Sequence, residues 1–187
     1  RKTTASVINL GCRVNRVESD KIAAGLISHG FELVDEEEAQ LIVINTCAVT
    51  GEAEAKTRKA VRKAAGRPLE PIVIVTGCVV NLNPGELTSI SDRVIAEPSK
   101  ADVVSRALHA IGDVADSSEG RRFDDGESST MLSVSSGEAH VDEDPYAISD
   151  LLGRSRYGIK IQDGCNHRCT YCIVWKARGP ERSVPLD

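Results

Sequence analysis

Aromatic residues are scarce in this chain: two Phe, three Tyr and one Trp make up 3% of 187 residues, beside a single Met. With hydrophobic content at 41%, a core must therefore be assembled from Val, Ile, Leu and Ala. No stretch approaches the ~20 apolar residues that a membrane-spanning helix needs, so no membrane partner is expected and the chain is placed in the cytoplasm. Cysteine is present without being dense, six in 187 residues. That density argues against a disulfide scaffold and for reduced thiols open to chemistry. No Gly-rich phosphate loop follows the first apolar run, which argues against a plain nucleotide-binding α/β domain. The length accommodates one ordinary domain and something extra.

The net charge of −5 is unevenly spread. Between Asp113 and Asp150 eleven acidic residues face two arginines, a local balance of −9, so the rest of the chain carries +4. Positive charge concentrates in two places. Glu52–Arg67 holds six Lys/Arg against two Glu, and Arg154–Arg182 holds seven against two acids. Each is readable as a solvated face or as a surface for a polyanion such as RNA; charge alone does not decide between them.

Residues 1–112 read as alternating strands and helices. Apolar runs at Ala5–Leu10, Leu41–Asn45 and Ile72–Thr76 are separated by helical patterns at Glu18–Ser28, stopped by Gly30, and at Glu52–Ala65. Asn83-Pro84 opens a short helix, and Lys100–Ile111 is the last, stopped by Gly112. Near-continuous Val/Ile runs joined by helices predict a parallel sheet covered on both faces, an α/β domain of Rossmann or flavodoxin type. Residues 113–153 are polar, acidic and aperiodic, and are expected to form a flexible linker with a short ordered piece at Met131–Val134. Arg156–Gln162 then reads as a strand that opens a further unit, residues 154–187.

Each strand run ends at a cysteine: Gly11-Cys12, Thr46-Cys47 and Gly77-Cys78. A lone buried Cys is usually a small core hydrophobe. In a parallel sheet, however, all strand C-termini share one edge where loops build sites, so three cysteines in the same topological position predict a shared thiolate site. A second set, Cys165, Cys169 and Cys172, stands in Asp163-Gly164-Cys165-Asn166-His167-Arg168-Cys169-Thr170-Tyr171-Cys172. Its C-x3-C-x2-C spacing supplies three thiolates where a cubane iron–sulfur cluster takes four, leaving one iron for another ligand. A zinc site using His167 as fourth ligand is the alternative reading of the same residues.

The Cys165–Cys172 run resembles the cluster loop of radical S-adenosylmethionine (SAM) enzymes. There the open iron binds SAM and an electron from the cluster cleaves it to a 5′-deoxyadenosyl radical, and Tyr171 matches the residue that packs near the adenine. With both cysteine sets in view, the chain is similar to the methylthiotransferase family over nearly all its residues, through Asn9-Leu10-Gly11-Cys12, Asn45-Thr46-Cys47, Thr76-Gly77-Cys78 and Lys160–Ser183. The resemblance implies two 4Fe-4S clusters, an auxiliary one on Cys12, Cys47 and Cys78 that supplies or carries sulfur and a SAM-binding one on Cys165, Cys169 and Cys172. It also implies a (β/α) radical-SAM barrel of which residues 154–187 are the truncated beginning, so that the chain reads as a fragment, inactive alone. Asn45-Thr46-Cys47-Ala48-Val49-Thr50, followed by Ala53, Lys56 and Arg58, resembles the branch that methylthiolates C2 of N6-threonylcarbamoyladenosine beside the tRNA anticodon. The implied partners are the tRNA anticodon arm and an electron donor such as a flavodoxin or ferredoxin, with no DNA. Two stretches depart from the family pattern: Val79-Val80-Asn81 after Cys78, and Trp175-Lys176 where a Pro-aromatic pair is common. They leave every ligand in place and bear on the substrate. Methylthiolation of another tRNA adenosine or of a ribosomal protein, and a non-catalytic iron–sulfur or zinc module, are the competing readings.

Overall fold

The structure, a computed structural model, describes residues 2–48, 51–119 and 145–184. Five strands form one all-parallel sheet in the order β2-β1-β3-β4-β5. They are β1 (Thr4–Asn9), β2 (Glu32–Leu33), β3 (Leu41–Thr46), β4 (Ile72–Gly77) and β5 (Val94–Ala96). Every residue of β3 and β4 is buried, as central strands covered on both faces require.

Alternation along these strands divides the core in two. Ile42, Ile44, Val73 and Val75 point to one side, where Val61 and Ala64 of α2 (Gly51–Ala65) and Val80 and Leu87 of the short helices α3 (Cys78–Leu82) and α4 (Pro84–Thr88) meet them. Leu41, Val43, Ile72 and Ile74 point to the other, against Ile22 and Leu26 of α1 (Arg13–Ser28) and Val103 and Ala107 of α5 (Val103–Glu119). The scarcity of aromatics is thus met by two thin aliphatic layers; Phe31 is the aromatic residue buried in them. In α2 the buried positions Thr57, Val61, Ala64 and Ala65 recur at helical spacing and leave the lysines and arginines outside.

Several boundaries differ from the sequence reading for physical reasons. α1 begins at Arg13 rather than Glu18, because its first turns bury polar groups, Asn15, Glu18 and Ser19, that hide the apolar period. α5 passes Gly112 and continues to Glu119; a glycine inside a helix costs only about 1 kcal/mol. α3 begins at Cys78 itself, where a loop is expected. The edge strands β2 and β5 are two and three residues long, too short to leave a pattern.

The strand expected at Arg156–Gln162 shrinks to β6 (Gln162–Asp163), which pairs antiparallel with β7 (Arg182–Ser183). Ile159 and Ile161 stay 60% and 71% exposed, and among the described residues no strand lies alongside to cover them, so the beginning of a barrel is not shown. Within the expected linker, α6 (Pro145–Leu151) packs on α1 and buries Ile148. Residues 120–144, with Met131–Val134, lie outside the described residues, as do Val49 and Thr50. No helix among the described residues is long and apolar enough to cross a membrane.

Ile44, fully buried at the centre of β3, tests the aliphatic core. Ile44→Ala is expected to lower unfolding free energy by about 2–5 kcal/mol in urea titrations. Leu69→Ala, at a position 55% exposed, should change it by less than about 0.5 kcal/mol.

Candidate functional site

The C-terminal edge of the sheet is built from polar residues that end the central strands. Asn45 and Thr46 close β3, and Thr46 pairs in register with Gly77 of β4. Cys47 and Cys78 follow these two positions directly, both buried. Cys12 follows β1 by three residues, after a turn in which the Gly11 N–H donates to Asn9 Oδ1 at 3.0 Å; it is exposed and stands at the N-cap of α1. The first cysteine set therefore leaves three adjacent strands at one edge.

A buried amide pair braces this edge. Asn15 Nδ2 donates to Asn45 Oδ1 (3.1 Å) and to the Thr46 carbonyl (2.8 Å). Asn45 Nδ2 returns bonds to the Asn15 carbonyl (2.9 Å) and Ser19 Oγ (3.1 Å). Thr46 Oγ1 donates to the Thr76 carbonyl at 2.7 Å and accepts the Val79 N–H at 3.2 Å, tying the start of α3 to β3. Gly77 adopts φ +98°, and a Cβ there would lie 2.5 Å from the Thr46 carbonyl oxygen. Only glycine lets the chain turn into Cys78 at this closeness.

The second cysteine set lies on a loop closed at its neck. β6 pairs with β7, the Cys165 N–H donates to the Gly179 carbonyl (3.1 Å), and Asn166 Oδ1 accepts from the Glu181 N–H (3.1 Å). Gly164 (φ +71°) passes so near Pro180 that a Cβ would sit 2.1 Å from its carbonyl oxygen. Cys165 and Cys172 are half-buried and Cys169 is exposed. Trp175, in α7 (Val174–Ala177), lies under Arg168 and Lys176 at 5.5 and 5.1 Å, while Tyr171 stands 90% exposed and His167 is exposed.

A charged network that the sequence reading did not anticipate seats this loop on the sheet edge. Glu18, 6% exposed, receives Lys100, Lys160 (2.6 Å) and Arg178 (2.9 Å). Arg178 also bonds Asp163 Oδ1 (2.9 Å) and Asn15 Oδ1 (2.7 Å). Burial pushes the Glu18 carboxyl up, but hydrogen bonds from Arg178, Lys100 and Lys160 outweigh it and hold the group below the usual carboxylate range. Asp163 follows the same balance: burial raises it, and bonds from Lys160 and Arg178 bring it well below. For Arg178, burial favours the neutral form, yet Glu18 and Asp163 drive its protonation further upward, with a smaller contribution from Cys78. A cavity of about 720 Å³ opens beside the network, with Lys21, Ser99, Lys100 and Lys160 among its walls.

As donors, the six free thiols suit a thiophilic metal or an iron–sulfur cluster, and Thr76 Oγ1, two residues before Cys78, is buried with no hydrogen-bond partner among the described residues. The donor chemistry of each set fits such a group. The thiols are not preassembled, since among the described residues no three His, Cys, Asp or Glu are grouped to hold a metal ion. On α2 and just after it, four of the six basic residues of Glu52–Arg67 are engaged with the protein's own carboxylates: Lys56 with Glu52, Arg58 with Glu86, and Lys63 and Arg67 with Glu36. Lys59 and Arg62 are exposed and in no ion pair among the described residues.

Residues 4–96 match the uncharacterized protein family UPF0004. Over 190 residues the chain is 30% identical to the threonylcarbamoyladenosine tRNA methylthiotransferase MtaB of Aquifex aeolicus, covering 95% of this chain and 41% of that protein. It is 32% identical over 183 residues to the enzyme of the same name from Rickettsia prowazekii (96% and 37%). The ribosomal protein uS12 methylthiotransferase RimO of Chlorobaculum parvum is 30% identical over 195 residues, covering 100% and 38%. The chain thus spans about two fifths of the length of these relatives.

Glu18 makes stability depend on pH. Its folded-state affinity for a proton is depressed, so its contribution is fully present above the unfolded carboxylate range and is lost as pH falls through the lower folded value. Urea midpoints should fall on acidification below about pH 4.3. Glu18→Gln, which removes the carboxylate shared by three half-buried cations and leaves Lys160 and Arg178 with Asp163 alone, should lower stability at pH 7 by about 1–3 kcal/mol and flatten that acid limb.

Proposed function

On the premise that this chain belongs to the methylthiotransferase family, we propose that it is the N-terminal part of a SAM-dependent enzyme that adds a methylthio group to C2 of N6-threonylcarbamoyladenosine in tRNA. The observation that carries this reading is the seating of one cysteine loop on the edge where the other three cysteines emerge, through Arg178, Glu18 and Asn15. A methylthiolation needs a radical source and a sulfur source near each other, and both are to be shielded from water.

In this reading Cys12, Cys47 and Cys78 hold one cluster and Cys165, Cys169 and Cys172 the other, with Tyr171 beside the adenine of SAM. When bound, the clusters supply the electron that cleaves SAM and the sulfur to be transferred. The chain's own residues provide the frame. The Asn15–Asn45 pair orients the edge, the Cys165–Gly179 bond closes the loop, and the Ala177 carbonyl, held by Asn81 Nδ2 at 2.7 Å, fixes α7 over α3. The sheet domain runs through α5 to Glu119, a connection follows it, and residues 154–187 are the beginning of the SAM-binding domain. The tRNA arm is met by Lys59 and Arg62, and a flavodoxin or ferredoxin delivers the electron. Methylthiolation of ribosomal protein uS12 is the second reading, because the Chlorobaculum parvum relative matches the whole chain at 30% identity, as the Aquifex aeolicus relative matches 95% of it.

Anaerobic loading with iron and sulfide is expected to give about eight irons per chain, as two four-iron cubanes, and an electron paramagnetic resonance spectrum changed by SAM. Replacing Cys12, Cys47 and Cys78 by Ala should leave about four irons and the SAM response. Tightly bound zinc with little iron would reject the radical mechanism. The full-length protein assayed on bulk tRNA and on ribosomes separates the two substrates.

The role of α2 is tested by the double change Lys59→Glu and Arg62→Glu. It should weaken tRNA binding and reduce the slope of log affinity against log salt by about 1 for each phosphate that is no longer neutralised. Unchanged binding places the RNA surface elsewhere.

A further inference from the structure

We infer that Arg178 is a positioning residue that clamps the Cys165–Cys172 loop over Cys78 and links it to Cys12. The clamp holds whichever metal the thiols carry, so it stands apart from the function proposed above.

Three sets of contacts converge on this guanidinium. Within the loop, Arg178 follows α7 and bonds Asp163, which precedes Cys165, so a single side chain ties both ends of the cysteine segment. Toward the sheet domain it bonds Glu18 on the buried face of α1. Its other nitrogen donates to Asn15 Oδ1 at 2.7 Å, and the same oxygen accepts the Cys12 thiol at 3.2 Å. One amide oxygen therefore joins the loop's neck to the first cysteine of the other set.

The seat continues beside Arg178. Ala177, 2% exposed, packs in the same apolar cluster as Cys78, Val79 and Val80. Its carbonyl is held by Asn81, three residues after Cys78. Burial of Cys78, 5% exposed, thus includes α7 among its neighbours. Segment 157–161 has no regular structure and its apolar side chains are largely exposed, so the loop is held on the sheet by these contacts together with the Lys160–Glu18 pair. When Arg178 is removed Glu18 keeps Lys100 and Lys160, and Lys160 still bonds Asp163, so a substitution there leaves no bare carboxylate and keeps one tether before Cys165 while freeing the side of the loop that rests on Cys78. A planar fork reaching three acceptors in different directions is a guanidinium's property, and an ammonium does not reproduce it.

The test uses the reduced, metal-free chain and two readouts: N-ethylmaleimide labelling of Cys78 followed by peptide mass mapping, and hydrogen–deuterium exchange along the backbone. Arg178→Gln is expected to raise the Cys78 labelling rate by about tenfold or more, as local opening replaces a docked segment. Exchange should rise in residues 160–182 and stay unchanged in β3 and β4. Arg178→Lys should fall between wild type and Arg178→Gln. Unchanged Cys78 labelling overturns the clamp, and so does a uniform rise that includes β3 and β4, which would make Arg178 a contributor to global stability only. Should Arg178→Gln fail to fold, Asn81→Ala and Asp163→Asn give the same reading from the other contacts: faster Cys78 labelling supports the clamp, and wild-type labelling in both rejects it.

Discussion

One buried carboxylate organises the functional end of this molecule. Glu18 lies on α1 near the sheet edge and gathers basic side chains from three separated places: Lys100 after β5, Lys160 before β6 and Arg178 after α7. A charge so buried is tolerated only when its partners satisfy it, and each partner here belongs to a different segment. Docking of the C-terminal loop and solvation of Glu18 are therefore one event. Removing the loop would leave Glu18 and Lys100 to compensate each other alone, and removing Glu18 would leave Asp163 as the carboxylate facing Lys160 and Arg178.

Around this hub the sheet edge is unusual in being polar yet buried. Asn45 and Thr46 are both 0% exposed, in a strand otherwise made of Leu, Ile and Val. Their bonds to Asn15, Ser19 and the Thr76 carbonyl satisfy groups that would otherwise be costly. They also hold α1, β3 and β4 in one register. The cysteines extend from this frame rather than from free loops. A thiol on a braced strand end can be presented to a ligand reproducibly, and a loop tip would not do so. The apolar core below sets only where the frame stands.

The two basic regions come to different ends. In Arg154–Arg182 much of the charge turns inward, Lys160 and Arg178 to Glu18 and Asp163, so this region is glue between parts of the chain. In α2 most cations meet Glu36, Glu52 and Glu86, and the face left for a polyanion narrows to Lys59 and Arg62. Composition counts charges, but it does not tell which of them are already satisfied.

The central strands were legible because a strand buried on both faces must be apolar throughout, and Leu41–Ile44 and Ile72–Val75 are. The helices after them, the strand-end placement of Cys12, Cys47 and Cys78, and the spacing of Cys165, Cys169 and Cys172 were legible for a similar local reason: spacing and neighbours carry them. The start of α1 was not, since its inward face is polar. Nor was the failure of Arg156–Gln162 to form a full strand, because a strand depends on partners that hydrogen-bond to it. Least legible was the meeting of Arg178 with Glu18, 160 residues apart. Sequence determined which residues could be strand, helix or thiolate ligand, because those properties depend on a few near neighbours. Tertiary structure alone decided which charges pair and where the second cysteine loop sits, because ion pairing and docking depend on distances in space that only the closed sheet and its polar edge establish.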